Sequence, residues 1–296
     1  MNRSAFNKTI APGLFALAVD AFKELPEIWR SLVKVKPSKR AYEENTFYAG
    51  FGYVPEKPEG EPMAYDDMIQ GPTKRWTHKT YALGARITDE AIDDDLYDVF
   101  SSIPTELGRS ARETLNVLVH DMFNNGTATT YHDCGDDLEL FSTAHIRLGG
   151  GTWSNLLAPG VDLSASSLQS MIDNLETTTD GRNKRMGIKA TYLLVPTALS
   201  WKAKELLNSG YDPENDTNAV NTIKERNLQL IVSPYLTDTN AFGLIADKNP
   251  LIAFERRKVT FAKDGDFNTG DYLMKNTFRF SVECNNPLGL YWSAGQ

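Results

Sequence analysis

A long polar segment between two alternating stretches is the feature that most restricts the fold of this chain. Residues 55–72 contain several prolines and acidic side chains and almost no aliphatic ones. Such a segment cannot bury enough apolar surface to offset the entropy lost on ordering it. The flanking stretches place apolar side chains at every second position, as strands do: Phe47, Ala49, Phe51 and Tyr53 before the segment, and Tyr81, Leu83, Ala85 and Ile87 after it. The sequence therefore predicts two paired strands with a tip that projects from the body.

Charge is sorted along this predicted hairpin. Acidic residues crowd its tip, at Glu56, Glu59, Glu61, Asp66 and Asp67, whereas the returning stretch carries Lys74, Arg75, His78 and Lys79. One interpretation is an ordinary solvated hairpin, and the other is an arm that lies across a neighbouring subunit. The second interpretation makes the following residues candidates for a subunit interface: Phe51, Tyr53, Glu56, Glu59, Glu61, Lys74, Arg75, Trp76 and Lys79.

A long amphipathic helix is predicted after the hairpin. Thr88 is a candidate N-cap, and Asp89 and Glu90 follow in a first turn where the helix dipole favours carboxylates. Pro104 must kink or restart this helix. The helical period comes from a sustained apolar stripe: Leu96, Val99, Phe100, Ile103, Leu107, Ala111, Leu115, Leu118 and Met122. One narrow apolar face on a helix this long predicts that it packs across a sheet.

The remaining segments combine helix and strand patterns in a mixed body, which fits an α+β protein. The N-terminal stretch 7–36 is predicted to be an arm, helical in its middle, with a basic stretch at 34–40 that joins it to the hairpin. This basic stretch is interpreted as a solvated linker in preference to a phosphate-binding patch. Further helices are expected at 166–178 and 198–207, with a polar loop at 211–221. Strands are expected at 191–195, 228–232, 242–246, 259–262 and 276–284, with a hairpin turn at Asp264, Gly265 and Asp266.

Composition limits the class of protein. The 296 residues, of which 41% are hydrophobic, suffice for a real core, and a net charge of -8 argues against tight nucleic-acid binding. The two cysteines, Cys134 and Cys284, fit a reducing compartment without a disulfide. Residues 1–19 imitate a signal peptide, but Pro12 and Gly13 interrupt the apolar run, so an amphipathic arm is the preferred interpretation. No apolar run reaches the length of a membrane span.

The polar turn at 133–145 holds the residue types of a catalytic or metal site. Ser142, His145 and Asp133 or Asp136 are the components of a nucleophilic triad, but no nucleophile elbow accompanies them. His132 and Cys134 add metal-ligand types without the close pairs typical of zinc sites. The glycines at 149–151 lack the lysine of a phosphate loop. The preferred interpretation is a structural turn in which Phe141 fills the core while Ser142 and His145 satisfy backbone groups, so no cofactor and no metal are expected.

The same turn carries a family resemblance. The sequence Asp136-Asp137-Leu138-Glu139-Leu140-Phe141-Ser142-Thr143-Ala144-His145 resembles the Asp-Gly-x-x-Leu-Phe-Ser-x-x-His turn of Mu-like phage major head subunits. Asp137 stands where the family has glycine. The structural residues of the turn are then Asp136, Leu140, Phe141 and His145. The order of elements also resembles that of the Hong Kong 97 type capsid fold.

The resemblance implies a shell protein and a division of the chain. It implies an N-terminal arm at 1–45, an extended loop at 46–87, a peripheral domain with the spine helix at 88–162, an axial domain at 163–250, and a return to the peripheral domain with C-terminal strands at 251–296. Implied partners are further copies in hexamers and pentamers, a scaffold and maturation protease, a portal, and enclosed double-stranded DNA. The implied location is the virion, assembled in the bacterial cytoplasm. An encapsulin-like compartment and a hydrolase or metal-dependent enzyme centred on 133–145 are the alternatives.

Overall fold

The first half of the chain forms an N-terminal arm, a hairpin and a long helix. The computed structural model describes residues 11–88, 90, 102–128, 134–214, 219–266 and 269–296. Its first elements, in chain order, are helices α1 (Ala11–Glu24) and α2 (Ile28–Leu32), strands β1 (Lys34–Pro37), β2 (Tyr42–Ala49), β3 (Ile69–Thr77) and β4 (Lys79–Ile87), and helix α3 (Ser102–Asn124). The helix in the middle of the predicted arm is confirmed, with a break before α2.

The second half alternates short strands and helices before a final pair of long strands. It contains β5 (His145–Ile146), β6 (Thr152–Trp153), β7 (Leu156–Leu157), α4 (Ala165–Glu176), β8 (Ala190–Pro196), α5 (Ser200–Asn208), β9 (Gln229–Ser233), β10 (Phe242–Ala246), β11 (Ile252–Gly265), β12 (Tyr272–Glu283) and β13 (Leu290–Ser293). Single turns of 3-10 helix lie at Thr197–Leu199 and Lys224–Arg226. The predicted helices and strands of this half are confirmed, with β11 and β12 longer than expected and β13 not predicted.

The pairing of the hairpin differs from the sequence prediction. β2 pairs antiparallel with β3, so that Tyr42 lies opposite Thr77 and Ala49 opposite Ile69. The stretch 81–87 was predicted to pair with 47–53, and this prediction is wrong, because β4 pairs with β12 instead. The hairpin therefore begins at Tyr42, within the predicted arm, and its second strand is the polar stretch at 69–77. Alternation identifies a strand but not its partner.

Four strands form one sheet in the order β1, β11, β12, β4. β1 runs parallel to the start of β11, with Lys34 opposite Ile252 and Pro37 opposite Glu255. The prediction of a solvated linker at 34–40 is therefore wrong for residues 34–37, which form an edge strand. The turn between β11 and β12 lies beyond Gly265, where Asp266 N–H donates to the carbonyl of Asp271. The turn predicted at 264–266 is displaced, since Asp264 and Gly265 still belong to β11.

Five strands form the other large sheet, in the order β7, β13, β10, β8, β9. Helix α4 begins at the N-cap Ser164, whose hydroxyl accepts from the Ser167 N–H in a capping box. Its buried face, Leu168, Met171, Ile172 and Leu175, joins the core on this sheet together with side chains of α5 and β10. The C-terminal strand β13 lies between β10 and β7, so residues 290–293 belong to the sheet of the 163–250 segment.

Helix α3 packs across the first sheet with the predicted phase. Leu107, Ala111, Leu115 and Met122 are buried, and Val117 on the opposite face is exposed. Pro104 is the third residue of the described helix, so the kink or restart predicted there falls at the edge of the described residues. The predicted N-cap turn after Thr88 and the stripe residues Leu96, Val99 and Phe100 fall on 89–101, a stretch where only residue 90 is described.

The N-terminal arm docks on α3 through specific contacts. A methyl group at Gly108 would collide with the carbonyl oxygen of Ala18, so glycine permits the close approach of α1. Arg112 is buried and donates from Nε to the carbonyl of Phe22 at 2.8 Å. Asn116 Oδ1 accepts from the Trp29 N–H at 3.2 Å. The arm is thus part of the body of the subunit from Ala18 to β1.

Candidate functional site

The loop between β2 and β3 is the most exposed segment of the described chain. Almost every side chain from 50 to 68 is exposed, including Phe51, Tyr53, Glu56, Glu59 and Glu61 from the sequence-predicted interface set. The loop has no strand or helix of its own, and a single turn forms where Glu61 N–H donates to the Pro58 carbonyl. Its apolar side chains therefore have no core to enter within the described part of this subunit.

The loop is tied to the body at one point near its base. Asp66 accepts from the Gly52 N–H at 2.7 Å and from Arg182 Nη1 at 2.8 Å, and Arg182 also contacts the Asp67 carbonyl. The Gly52 N–H and then the Arg182 guanidinium hold the pKa of Asp66 below its ordinary value. The loop beyond this tether, residues 53–65, is called the loop tip below. The tether fixes where the loop tip leaves the body.

The basic members of the predicted interface set lie elsewhere, on the wall of a cleft. Lys74, Arg75, Trp76 and Lys79 line a cleft between β3, α3 and β12. Arg75 is already engaged within the subunit, since its Nε donates to Glu44 at 2.7 Å and its guanidinium lies 4.2 Å from the centre of the Tyr42 ring. The structure therefore separates the candidates into an acidic, aromatic loop tip and a basic cleft wall.

The turn at 134–155, called the plug turn below, inserts part of its length into the core. Leu140 and Phe141 are buried, and the Phe141 ring stacks on Trp292 of β13 with 5.1 Å between ring centres. Phe123 of α3 packs against both rings. The turn thereby joins α3 to the five-stranded sheet. Asn155 supports it by donating from Nδ2 to the Leu140 carbonyl at 2.8 Å and accepting at Oδ1 from the Ser142 N–H at 2.8 Å.

His145 is fully buried and both of its ring nitrogens are engaged. Nδ1 lies 2.8 Å from Asp136 Oδ2, Nε2 lies 3.2 Å from Asn155 Oδ1, and the ring stacks on Trp153. Burial alone would raise the pKa of Asp136, but the His145 hydrogen bond and charge lower it overall. Neither His145 nitrogen is left to activate Ser142. The prediction that His145 satisfies backbone groups is wrong, because its partners are side chains.

Asp137 occupies a backbone conformation that suits glycine. Its φ angle is +59°, in the left-handed region that costs L-residues energy. Asp and Asn are the non-glycine residues that tolerate this region best. The position at which the resembled motif has glycine is therefore the one that needs a left-handed residue.

The root of the hairpin holds a buried polar cluster that the sequence did not indicate. His78, between β3 and β4, lies 3.0 Å from Ser38 Oγ and 2.9 Å from Ser281 Oγ, and Ser38 donates to Glu43 at 2.6 Å. Burial lowers the pKa of His78. Nearby Glu283 is buried, and desolvation together with the charge of Glu43 raises its pKa to about 8. A lone glutamate at a strand end gives no sequence pattern from which this burial could be foreseen.

The described residues contain neither a metal-binding cluster nor a membrane-spanning helix. Within the described ranges, no three His, Cys, Asp or Glu side chains are grouped to hold a metal ion; His132 and Asp133 lie outside them. Among the helices of the described residues, none has the length and apolar character needed to cross a bilayer. The remaining His120 is buried and binds the Asn116 carbonyl and Ser233 Oγ.

The element order and the extended hairpin define the Hong Kong 97 type capsid fold, and solved structures match it along most of the chain. The virus-like particle of Pyrococcus furiosus has a TM-score of 0.57 at 12% identity, covering 95% of this chain and 98% of that one. The capsid of cyanophage P-SCSP1u has a TM-score of 0.60 at 11% identity, covering 88% and 85%. At these identities the likeness establishes the fold alone.

The chain belongs to the phage capsid protein family, whose model matches residues 71–293. It is 30% identical over 102 residues to the major capsid protein of Escherichia phage Mu, covering 34% of this chain and 33% of that protein. It is 32% identical over 90 residues to the Mu-like prophage FluMu major head subunit of Haemophilus influenzae, covering 30% of this chain and 29% of that protein. The matched region thus spans about a third of the length of these relatives.

Proposed function

We propose that this protein is the major head subunit of a Mu-like phage or prophage, and that it assembles with copies of itself into an icosahedral shell. Membership of the capsid family and the capsid fold support this proposal. The observation that carries it furthest is the exposed loop at 50–68, which has apolar and charged side chains but no core of its own. Such a segment gains stability by burying that surface on a neighbour.

The proposed interface has two parts, which correspond to the two places where the candidates lie. The loop tip supplies Tyr53, Glu56, Glu59 and Glu61, next to Phe51. The cleft wall supplies Lys74, Arg75, Trp76 and Lys79. Opposite charges on different patches of one subunit favour a head-to-tail contact, which closes into rings when the rotation permits. Hexamers and pentamers are the rings that an icosahedral shell requires.

The proposed division of the chain follows the boundaries predicted from the sequence, with two amendments. The arm, extended loop, peripheral and axial segments are proposed at 1–45, 46–87, 88–162 and 163–250. The first amendment is that the extended loop consists of β2, β3 and the loop between them, because β4 lies in the four-stranded sheet. Residues 251–296 are divided between two segments. β11 and β12 lie in the four-stranded sheet and are assigned to the peripheral segment, whereas β13 lies in the five-stranded sheet and is assigned to the axial segment.

The proposal extends to partners and location. The shell encloses double-stranded DNA without sequence-specific binding, which agrees with the net charge of -8. A scaffold and maturation protease and a portal are proposed as further partners, and assembly in the bacterial cytoplasm as the route to the virion. No catalytic activity is proposed, because both nitrogens of His145 are engaged by Asp136 and Asn155.

Electron microscopy of the purified protein, expressed alone and with its scaffold, tests this function. Closed or aberrant shells tens of nanometres across are expected, by analogy with the capsid fold. Nuclease-protected DNA in shells from phage lysates would separate a phage head from an encapsulin-like compartment with enzyme cargo. A protein that stays monomeric with scaffold and crowding agents would refute the proposal. Ester, peptide or phosphoester turnover that is lost in both Ser142→Ala and His145→Ala would revive the hydrolase alternative.

A further inference from the structure

A pocket beside the loop-side ends of β2 and β3 has the size of one aromatic ring. Its volume is about 160 Å³. An apolar cavity of about 150 Å³ holds a benzene molecule in another protein. The pocket is lined mainly by apolar side chains from the hairpin, the 146–153 turn and the segment after β12: Phe47, Pro72, Leu148, Trp153, Pro287 and Leu288. Ile146 at its rim is exposed, so the pocket is reachable from solvent.

The loop tip carries aromatic rings without a place in their own subunit. Tyr65 is 88% exposed and Tyr53 is 74% exposed. Tyrosine is among the residues that most often dominate binding energy at interfaces, because it buries a large area at a small entropic cost. Asp66 and Gly52 hold the base of the loop against Arg182, so Tyr65 and Tyr53 flank the tether, and neither ring lines the pocket.

Charge around the pocket complements the loop tip. Arg147 lines the pocket, and Pro72 of its lining lies two residues from Lys74 on the basic cleft wall. Arg182, in the adjacent turn, is already bound by Asp66 of its own loop. Asp136 and Asp180 also line it, but their carboxylates accept hydrogen bonds from His145 and from backbone N–H groups of the turn. The loop tip carries Glu56, Glu59 and Glu61, and no basic residue except Lys57.

We propose that this pocket receives the ring of Tyr53 or Tyr65 from a second copy of the chain, with the acidic loop tip lying along the basic rim. This inference rests on the proposed function and places the ring in a pocket next to the basic cleft wall, since Pro72 of the pocket and Lys74 of the wall are two residues apart on β3. Donor and receptor are different patches of one chain, so each copy gives one ring and receives another. A contact of this kind propagates from subunit to subunit.

Disulfide cross-linking between two differently tagged chains tests the contact. One chain carries Tyr65→Cys or Tyr53→Cys, and the other carries Ile146→Cys at the rim. The native Cys134 and Cys284 are buried and stay in place in both chains. After co-assembly and mild oxidation, a reducible heterodimer of the two tags is expected, since a disulfide requires Cα atoms within about 7 Å. A matched control chain carries Val117→Cys on the exposed face of α3 and should give no heterodimer.

Two results separate this inference from the proposed function. Shells of normal yield without a heterodimer from either tyrosine position would overturn the pocket contact and leave the shell function standing. Failure of the parent chain to form shells would overturn both.

If the cysteine chains themselves do not assemble, a comparison of assembly by the Ile146→Glu and Ile146→Lys variants tests the contact instead. Ile146→Glu should raise the protein concentration needed for assembly by about tenfold or more at low salt, and Ile146→Lys should not. Equal effects of the two would also overturn the contact.

Discussion

At the scale of single residues, Asp137 shows how a motif position is set by backbone geometry. Its φ of +59° demands a left-handed residue, and its side chain is exposed. The motif resemblance placed glycine at this position, and the structure supplies the reason. Asp137 is a permissible substitute because a short polar side chain tolerates the left-handed region better than an alanine or a β-branched one.

Two substitutions at Asp137 should therefore have opposite outcomes. Asp137→Ala is expected to lower the free energy of unfolding by about 1 kcal/mol, because alanine keeps the Cβ clash without the polar side chain. Asp137→Gly should be at least as stable as the parent, since glycine adopts positive φ freely. Urea denaturation of the three proteins measures both effects. Equal stability of the Ala and Gly variants would show that residue 137 is not left-handed in solution.

Glu283 is expected to make stability depend on pH. Its ordinary pKa of 4.5 rises to about 8 in the folded protein, so the folded chain retains a proton that the unfolded chain releases between these values. Linkage then requires the free energy of unfolding to fall as the pH rises through this window, by at most about 1.4 kcal/mol per pH unit. The loss of stability is complete above about pH 8, where the folded chain also releases the proton.

The variant Glu283→Gln removes this titration. It should be more stable than the parent at pH 8, and the difference should shrink toward zero near pH 4.5. Thermal unfolding across the pH range measures it, with Glu56→Gln at an exposed position as the matched control. A constant difference between the Glu283→Gln variant and the parent at every pH would refute a raised pKa at this site.

At the scale of elements, helix α3 is the spine on which the arm, the first sheet and the plug turn are assembled. Its predicted apolar face enters the core with Trp29, Phe141 and Trp292. The helix therefore connects segments that are far apart in the sequence. Its stability depends on tertiary packing of this face rather than on local propensity.

Leu115→Ala should lower the free energy of unfolding by roughly 2 to 5 kcal/mol, as for buried leucines generally. The loss combines the transfer free energy of the removed atoms with the cavity that remains. Val117→Ala lies two residues away on the exposed face and should change stability by less than about 0.5 kcal/mol. Chemical denaturation of both variants measures the pair. Similar losses from the two would place the helix in a different rotational phase.

The loop tip is expected to be dispensable for folding and required for assembly. Replacing residues 53–65 by a short Gly-Ser linker keeps the β2 and β3 pairing and the Asp66 tether to Arg182. Shortening a loop changes closure entropy only modestly, so helix content and cooperative unfolding should match the parent. Light scattering should show lost or distorted shells. Normal shells from this variant would mean that the lattice is held by other surfaces.

At the scale of the whole molecule, two parts of the body hold the hairpin in place. The four-stranded sheet anchors its root through β4, and the turn beside the five-stranded sheet tethers it through Arg182. The hairpin is thus fixed at two places on the body, and the loop tip extends beyond both. A protruding segment with a fixed exit direction suits a lattice, because every copy presents it in the same orientation.

Charge reversal of the loop tip tests this arrangement in the assembled state. Glu56→Lys, Glu59→Lys and Glu61→Lys together should weaken assembly, most strongly at low ionic strength, because exposed charge contacts are screened by salt. The matched triple change to glutamine should have a smaller effect with a weaker salt dependence. Light scattering as a function of salt concentration measures both. Assembly of the lysine variant that matches the parent at every salt concentration would exclude an electrostatic part for the loop tip.

Some of this architecture follows from the sequence alone. Local periodicity gave the phase of α3, the strands β8, β9, β10 and β12, and the exposure of a segment too polar to be buried. These features depend on which side chains share a face, and side-chain spacing reports that directly. The sequence motif at 136–145 likewise marked the plug turn, because its Leu-Phe pair is apolar within a polar loop.

The tertiary structure decided what depends on residues far apart. It paired β2 with β3 rather than with β4, made an edge strand of residues 34–37, and placed β13 in the middle of the five-stranded sheet. It also buried Glu283 beside Glu43 and engaged both nitrogens of His145. Alternation in a strand is compatible with many partners, and the environment of a titratable group is set by the elements packed around it. These features are set by contacts between distant parts of the chain, which form only when the whole chain folds.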